Sequence, residues 1–217
     1  VVQRQLPSRL RPKLQGQYAV VGICLIRLEH IRPKPLPSFL GLSSENGAHR
    51  IAVTWEDEGQ PKEGVFIPRR DTSSRMNHFA GGRLFPGEHH HAHFDVKDDG
   101  DRIDLKMRAK DDGVSVDVRG RVAERLPATS IFASVPEVSA FFAAGSVGYS
   151  VTSQNHRLDG IKLVTDTWSV EALDVEHVQS SFFDDEARFP KGSVAFDCAL
   201  VMRDIEHEWR PEPDLEV

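Results

Sequence analysis

The sequence predicts a mainly β protein with two short helices, folded as a single domain over residues 1–217. Three observations carry that expectation. Short runs alternate apolar and polar side chains or are apolar throughout, the two patterns of strands covered on one face or on both. Turn signals such as Asp111-Asp112-Gly113 separate these runs. Helical spacing with a recognisable start and stop occurs in two places only.

Tyr18 to Leu28 (YAVVGICLIRL) is apolar on both faces and reads as a central strand. Arg50 to Glu56 alternates, with Ile51, Val53 and Trp55 on one face. Gly64 to Ile67 is a short strand that Pro68 ends or pushes to a sheet edge. Ile103, Leu105 and Met107 alternate with Asp104, Lys106 and Arg108. Beyond the turn, Val114, Val116 and Val118 alternate with Ser115, Asp117 and Arg119, giving a hairpin with one wet face. Ser134 to Phe142 has a capping-box start in Ser134 and Glu137, a stop in Gly145, and a stripe of Val135, Val138, Phe141 and Phe142. A shorter helical turn fits Ser73 to Phe79, ended by Gly81-Gly82. Strands return at Ile161 to Val164, Thr167 to Glu176 and Ser193 to Arg203. In the last, Val194, Phe196, Cys198, Leu200 and Met202 share a face opposite Asp197. Pro33 to Pro37 reads as a rigid loop and Pro211 to Val217 as a loose acidic tail. Neither a repeat nor a linker divides the chain.

Composition narrows the function classes. The 39% hydrophobic and 28% charged residues fit a soluble globular chain with a real core. A net charge of -6 and a pI near 5.9, without basic stretches interleaved with aromatics, exclude nucleic acid as the expected partner. No apolar run reaches the roughly 18 residues of a membrane span. The first residues, VVQRQLPSRLRPKL, lack the apolar centre of a signal peptide, and a start at Val1 reads as trimming. Cys24 and Cys198 sit in apolar strand patterns, so two reduced, buried thiols in a cytoplasmic protein are expected. Ten histidines make the net charge sensitive to pH below neutrality.

The densest chemistry lies in Gly81 to Phe94, GGRLFPGEHHHAHF. On a strand, His89, His91 and His93 project to one face with Asp95, while Glu88, His90, Ala92 and Phe94 face the other way. Imidazoles two residues apart lie ~7 Å from each other, so His89 and His91 can share a divalent ion such as zinc or nickel. A third ligand would come from another strand, with Asp197, His49 and Glu45 suitable by type. The alternative is that these histidines line a polar cavity or a solvated face. Arg69, Arg70 and Arg83 flank the region, and an arginine fork can hold a carboxylate, although pairing with Asp71 competes for it. Glu45, His49 and Arg50 form a second polar cluster; Tyr149 and Trp55 suit a core or cavity wall. Glu206, His207 and Glu208 read as solvated. Phosphate loops, nucleophile elbows and Cys-x-x-Cys pairs do not occur.

The segments VGICLIRLEHIRPKPLP, SSENGAHRIAVTWE, EGVFIPRRDTSSRMN, GGRLFPGEHHHAHF, SIFASVPEVSAFFAAGSVGYS and PKGSVAFDCALVMRDIEHEW are similar, in order and over most of the chain, to a bacterial family of uncharacterised function. That family lies within the acetoacetate-decarboxylase-like superfamily. The resemblance implies a closed, cone-like antiparallel β-barrel around a small-molecule cavity. The better-known decarboxylases form a Schiff base through a lysine after a Gly-aromatic-Pro turn, with a second lysine to depress its pKa. Here Leu84-Phe85-Pro86 is followed by Gly87 and Glu88, so neither lysine is present, and Glu88 would raise a neighbouring amine pKa. Imine chemistry would then need Lys62, Lys162 or Lys191 from elsewhere.

The resulting expectation is a small-molecule-binding β-barrel for a small carboxylate or oxo compound, without Schiff-base decarboxylation and with no cofactor required. Arg69, Arg83, His89, His93 and Tyr149 are its candidate ligand-binding residues. The alternative is an enzyme on such an acid, with Glu88 and His91 as acid-base groups or His89 and His91 holding a metal. A homodimer is the base-rate expectation.

Overall fold

The computed structural model describes residues 1–32, 37, 41–75, 87–152 and 156–217. A 3-10 turn (Val2–Gln5) precedes three minimal strands, β1 (Arg11–Pro12), β2 (Leu14–Gln15) and β3 (Tyr18–Ala19). Long strands follow: β4 (Val21–Ile31), β5 (Leu42–Asp57), β6 (Gln60–Thr72), β7 (His89–Asp98), β8 (Arg102–Ala109) and β9 (Ser115–Ala123). Helix α1 (Val135–Ala144) comes next, then β10 (Val147–Val151), β11 (Arg157–Val164), β12 (Glu171–Ser180), β13 (Ala199–Val201) and β14 (Glu208–Glu216). The protein is mainly β, as expected. The Ser73–Phe79 turn and the Pro33–Pro37 loop fall largely outside the described residues. No helix among those described is long and apolar enough to cross a membrane.

Twelve of the strands form one sheet in the order β13-β12-β9-β8-β7-β6-β10-β11-β14. On its other edge β6 pairs with β5, which carries β4 and β1. This corrects the closed antiparallel barrel in two respects. The path ends at β13 and β14 without a pairing between them among the described residues, so the sheet is open. It is also mixed, because β6 runs parallel to both β10 and β7.

Pro68 does not end its strand. The β5 register jumps from Ile51 opposite Phe66 to His49 opposite Arg69, a bulge that leaves Ile67 and Pro68 against Arg50 alone. On the other edge, β10 pairing stops at Ile67 and β7 pairing starts at Arg70. Pro68, without an N–H to offer the ladder, thus occupies the seam where none is needed. The β5–β6 hairpin closes on Glu58 and Gly59, both at positive φ, as a two-residue primed turn requires.

Two apolar clusters hold the sheet. Leu10, Ile51, Val53, Trp55, Phe66, Tyr149, Leu158 and Leu215 make one; Ala92, Leu105, Met107, Ala109 and Val116 make the other. The alternation read in β5, β8 and β9 therefore marks real inward faces. β4 is a different case: among the described residues it pairs only with β5 and is an edge strand, not a central one. Its double apolar face arises because Ile23 and Leu25 pack on the second cluster while Ile26 and Leu28 line a concavity on the opposite side.

α1 begins as its capping pattern predicts: the Ser134 hydroxyl accepts the Glu137 N–H at 3.3 Å, and the Gly145 N–H closes on the Phe142 carbonyl. The C-terminal expectations need correction. Pro211 to Val217 is no loose tail, because most of it lies in β14, antiparallel to β11 with Leu215 buried. Pro211 and Pro213 are tolerated because β14 is the last strand of the sheet. Within Ser193–Arg203 only Ala199–Val201 joins the sheet. Upstream, Asp197 accepts the Ser130 hydroxyl and the Ile131 N–H, both at 2.8 Å.

Gly64 marks where the sheet tolerates no side chain. A Cβ there would lie 2.5 Å from the Val147 carbonyl oxygen and 3.2 Å from the Trp55 ring, at the β6–β10 contact. Gly64→Ala is expected to lower the urea-unfolding free energy by about 1–3 kcal/mol. Gly22→Ala, with nothing within 4 Å of its Cβ, should change it little.

Candidate functional site

The three-strand junction at the end of β6 sorts the polar residues by face. β5 and β6 place Ala48 opposite Arg70 and Gly47 opposite Asp71; β6 and β7 place Arg70 beside His89, Asp71 beside His90 and Thr72 beside His91. Strand alternation then sends Arg69, Asp71 and His90 to one face and Arg70, His89 and His91 to the other.

On the first face Arg69 is 7% exposed and Asp71 is fully buried. The Arg69 guanidinium donates Nε to both Asp71 oxygens at 3.0–3.1 Å and Nη2 to Asp71 Oδ1 at 2.8 Å. It also reaches Asp112 in the β8–β9 turn, with Nη2 3.1 Å from Oδ1. Burial pulls the guanidinium down, but the bonds to Asp71 and Asp112 outweigh it and raise its pKa above the ordinary value. Burial likewise pushes the Asp71 carboxyl up while Arg69 draws it back, so the two behave as one unit. Asp112 feels some burial, yet Arg69 and the Val114 N–H bring it down to about 2. Next to it, His90 Nδ1 contacts Asp111 Oδ2. The nearest ligand-capable atoms of His90, Asp111 and Asp112 all lie within 4.8 Å of one another.

His49 is fully buried behind this cluster, its ring 4.3 Å from Phe182 and 5.9 Å from Phe183. Neither ring nitrogen has a hydrogen-bond partner among the described residues. Burial first, then the charges of Arg69 and Arg188, lower its pKa to about 3. The 3.7 Å approach of Nδ1 to Asp71 is therefore a contact of a neutral ring and not an ion pair.

On the second face Arg70, Asn46, Gly47, Ala48, His89, Ile26, Leu28, Ile161 and Trp209 line a concavity of about 30 Å³. The Arg70 Nε donates to the Ser150 hydroxyl at 2.9 Å, and among the described residues no carboxylate pairs with this guanidinium. Burial, then the Arg50 charge, lowers its pKa to about 9, so it stays cationic at neutral pH. Trp209 Nε1 and Arg50 Nε are buried without acceptors among the described residues. A wider groove of about 440 Å³ along Ala123–Pro127 lies at the far end of β9 from the histidines.

The residues singled out in the sequence are distributed over these surroundings. His89 lines the concavity; His91 is half-buried beside Thr72, and His93 and Glu88 are exposed. The Glu88 N–H bonds the Val151 carbonyl. Arg69 belongs to the ion cluster, and its competing partner Asp71 is indeed paired with it. Tyr149 is core, edge-on to Trp55 at 5.3 Å, its phenol pushed up by burial and the Glu212 charge. Arg83 lies outside the described residues. Of the suggested third ligands, Glu45 pairs with Arg27 at 2.6 Å and Asp197 is committed to Ser130 and Ile131. Both cysteines are free and half-buried, with the Cys198 thiol raised to about 12 by burial and Asp197.

Sequence reasoning did not select Asp111, Asp112, Trp209 or the Phe182-Phe183 cover. It named Arg70 only as a neighbour, although alternation already separates Arg69 from Arg70. Comparison with family models and with curated proteins finds no match to this chain.

The depressed His49 pKa has a definite sign. Between 6.5 and about 3 the unfolded chain binds a proton that the folded chain refuses. Stability is thus complete above pH 6.5 and lost as pH falls toward 3, with a limiting slope of ~1.4 kcal/mol per pH unit. His49→Gln should flatten urea-derived stability over that window. Separately, Arg69→Met strands a buried Asp71 and is expected to cost about 3–5 kcal/mol, with Arg69→Met/Asp71→Leu recovering part of it in the same denaturation assay.

Proposed function

We propose that this chain binds a small carboxylate or oxo compound in the concavity at Arg70 and does not form a Schiff base with it. The observation that carries the reading is a cationic guanidinium in a mostly apolar recess whose only hydrogen-bond acceptor among the described residues is a serine hydroxyl. A charge removed from water without a counter-charge is costly, and an arriving anion offsets that cost. Trp209 Nε1 supplies a second unspent donor, while Ile26, Leu28 and Ile161 supply apolar walls. The volume of about 30 Å³ takes in only the anionic end of such a compound and leaves the rest of it outside the recess.

Kinship with the acetoacetate-decarboxylase-like superfamily is part of this proposal and rests on the ordered motifs. The open sheet would then be a departure from that superfamily's barrel. Against imine chemistry, no lysine among the described residues lines the concavity. Lys62 and Lys191 are exposed, and Lys162 alternates with Ile161 and so leaves β11 on the opposite face. At the position following the Phe-Pro turn, Gly87 has φ 88°, and a Cβ there would meet the Ser150 Cβ at 2.5 Å.

Calorimetric titration with acetoacetate and butyrate tests the reading. Wild type is expected to bind at least one of them, and Arg70→Met to weaken binding by more than tenfold (about 1.4 kcal/mol). Equal binding by Arg70→Met would remove the assignment. Borohydride treatment with acetoacetate should leave the protein mass unchanged; a covalent adduct would overturn the exclusion of an imine.

A further inference from the structure

We propose that His90, Asp111 and Asp112 form a binding site for a divalent transition-metal ion, on the sheet face opposite the Arg70 concavity and independent of it. Their ligand-capable atoms already lie within 4.8 Å of one another. An ion held at about 2.0–2.2 Å from each ligand needs ligand separations up to about 4 Å, so the widest separation closes by up to about 0.8 Å while the His90–Asp111 contact opens. The groups come from separate elements: the parallel β6–β7 register sets His90 beside Asp71, and the β8–β9 turn presents both acids.

Charge favours a dication. Asp71, Asp111 and Asp112 surround the single guanidinium of Arg69, three carboxylates against one cation. The cluster therefore keeps two negative charges that Arg69 does not neutralise. His49 is the independent observation. It is fully buried, unpartnered at both ring nitrogens, and turned with Nδ1 3.7 Å from Asp71 at the back of the same cluster. An unsatisfied buried imidazole calls for a physical cause, and a neutral ring there leaves the negative charge of the cluster uncompensated from behind.

The donor set selects the class of ion. One imidazole with two carboxylates suits zinc or manganese; calcium prefers six to eight oxygens and copper(I) prefers sulfur. Three protein ligands leave a coordination position for water, as in sites that exchange ligands. Asp111 and Asp112 have side chains 48% and 43% exposed, so an ion arrives from solvent without opening the core. On binding it replaces the proton between His90 Nδ1 and Asp111 Oδ2, which leaves to water. The ligand histidine is thus His90, not the His89 and His91 pair that strand spacing suggests.

Titration of Zn²⁺, and of Mn²⁺ in parallel, into tag-free protein dialysed against chelator is the test. One equivalent of Zn²⁺ is expected to bind wild type and raise its Tm. His90→Gln and the more exposed Asp111→Asn should each weaken binding by about tenfold or more, with metal-free urea midpoints showing that both variants fold. His89→Gln and His91→Gln should bind as wild type does. Absence of saturable binding, retention of affinity in both His90→Gln and Asp111→Asn, or equal loss in His91→Gln would overturn the site.

Discussion

β6 carries two successive partners on one edge, and the rest of the molecule is arranged by that constraint. β10 runs parallel to its middle and β7 to its end, while β5 follows it antiparallel along the other side. The handover falls at Pro68, where the ladder asks for no donor, and the bulge opposite Arg50 realigns the strands so that His49 meets Arg69. Because side chains alternate at every residue, a slip of one position would exchange the two faces completely. The buried Arg69–Asp71 pair resists that slip. It is satisfied on one side of the sheet only, where Asp112 completes it.

Adjacent arginines consequently meet opposite environments. Arg69 loses hydration but gains two carboxylates, and remains firmly protonated. Arg70 loses hydration and gains a hydroxyl, with Arg50 as a nearby like charge. One guanidinium is structural because its interactions are spent within the fold. The other retains donor capacity toward a recess. The same alternation divides the histidines of β7, so that His90 joins the acids while His89 joins the cation. A run of histidines therefore serves two surroundings of opposite charge and is not a single cluster.

How far this was legible from sequence depends on the kind of signal. Local alternation identified the inward faces of β5, β8 and β9, because Ile51, Val53, Leu105, Met107 and Val116 report burial directly. Capping chemistry identified α1. Parallel pairing of β6 left no local trace, and closure of the barrel came from resemblance, not from residues. The tail misled because prolines oppose a ladder except on an edge, and edge position is a tertiary fact. At the site, Arg69 was visible as an arginine but not as a spent one. Asp111 and Asp112 looked like turn formers, and only the fold carries that turn to His90. Trp209 lay between the stretch read as solvated and the expected tail, in no predicted element.

Gly87 shows why a side chain at this position and the present arrangement exclude each other. Its φ of 88° is a conformation glycine adopts without strain. A side chain there would also collide with Ser150, the residue whose hydroxyl fixes the Arg70 Nε. Its own N–H reaches Asp159 Oδ2 at 3.2 Å, tying the start of the histidine strand to β11. A lysine at 87 would have to displace Ser150, and displacing Ser150 would release Arg70. The space a nucleophilic amine would need is thus occupied by the support of a fixed cation. Among the described residues this edge presents a guanidinium held by Ser150, and a side chain at position 87 would disturb that hold.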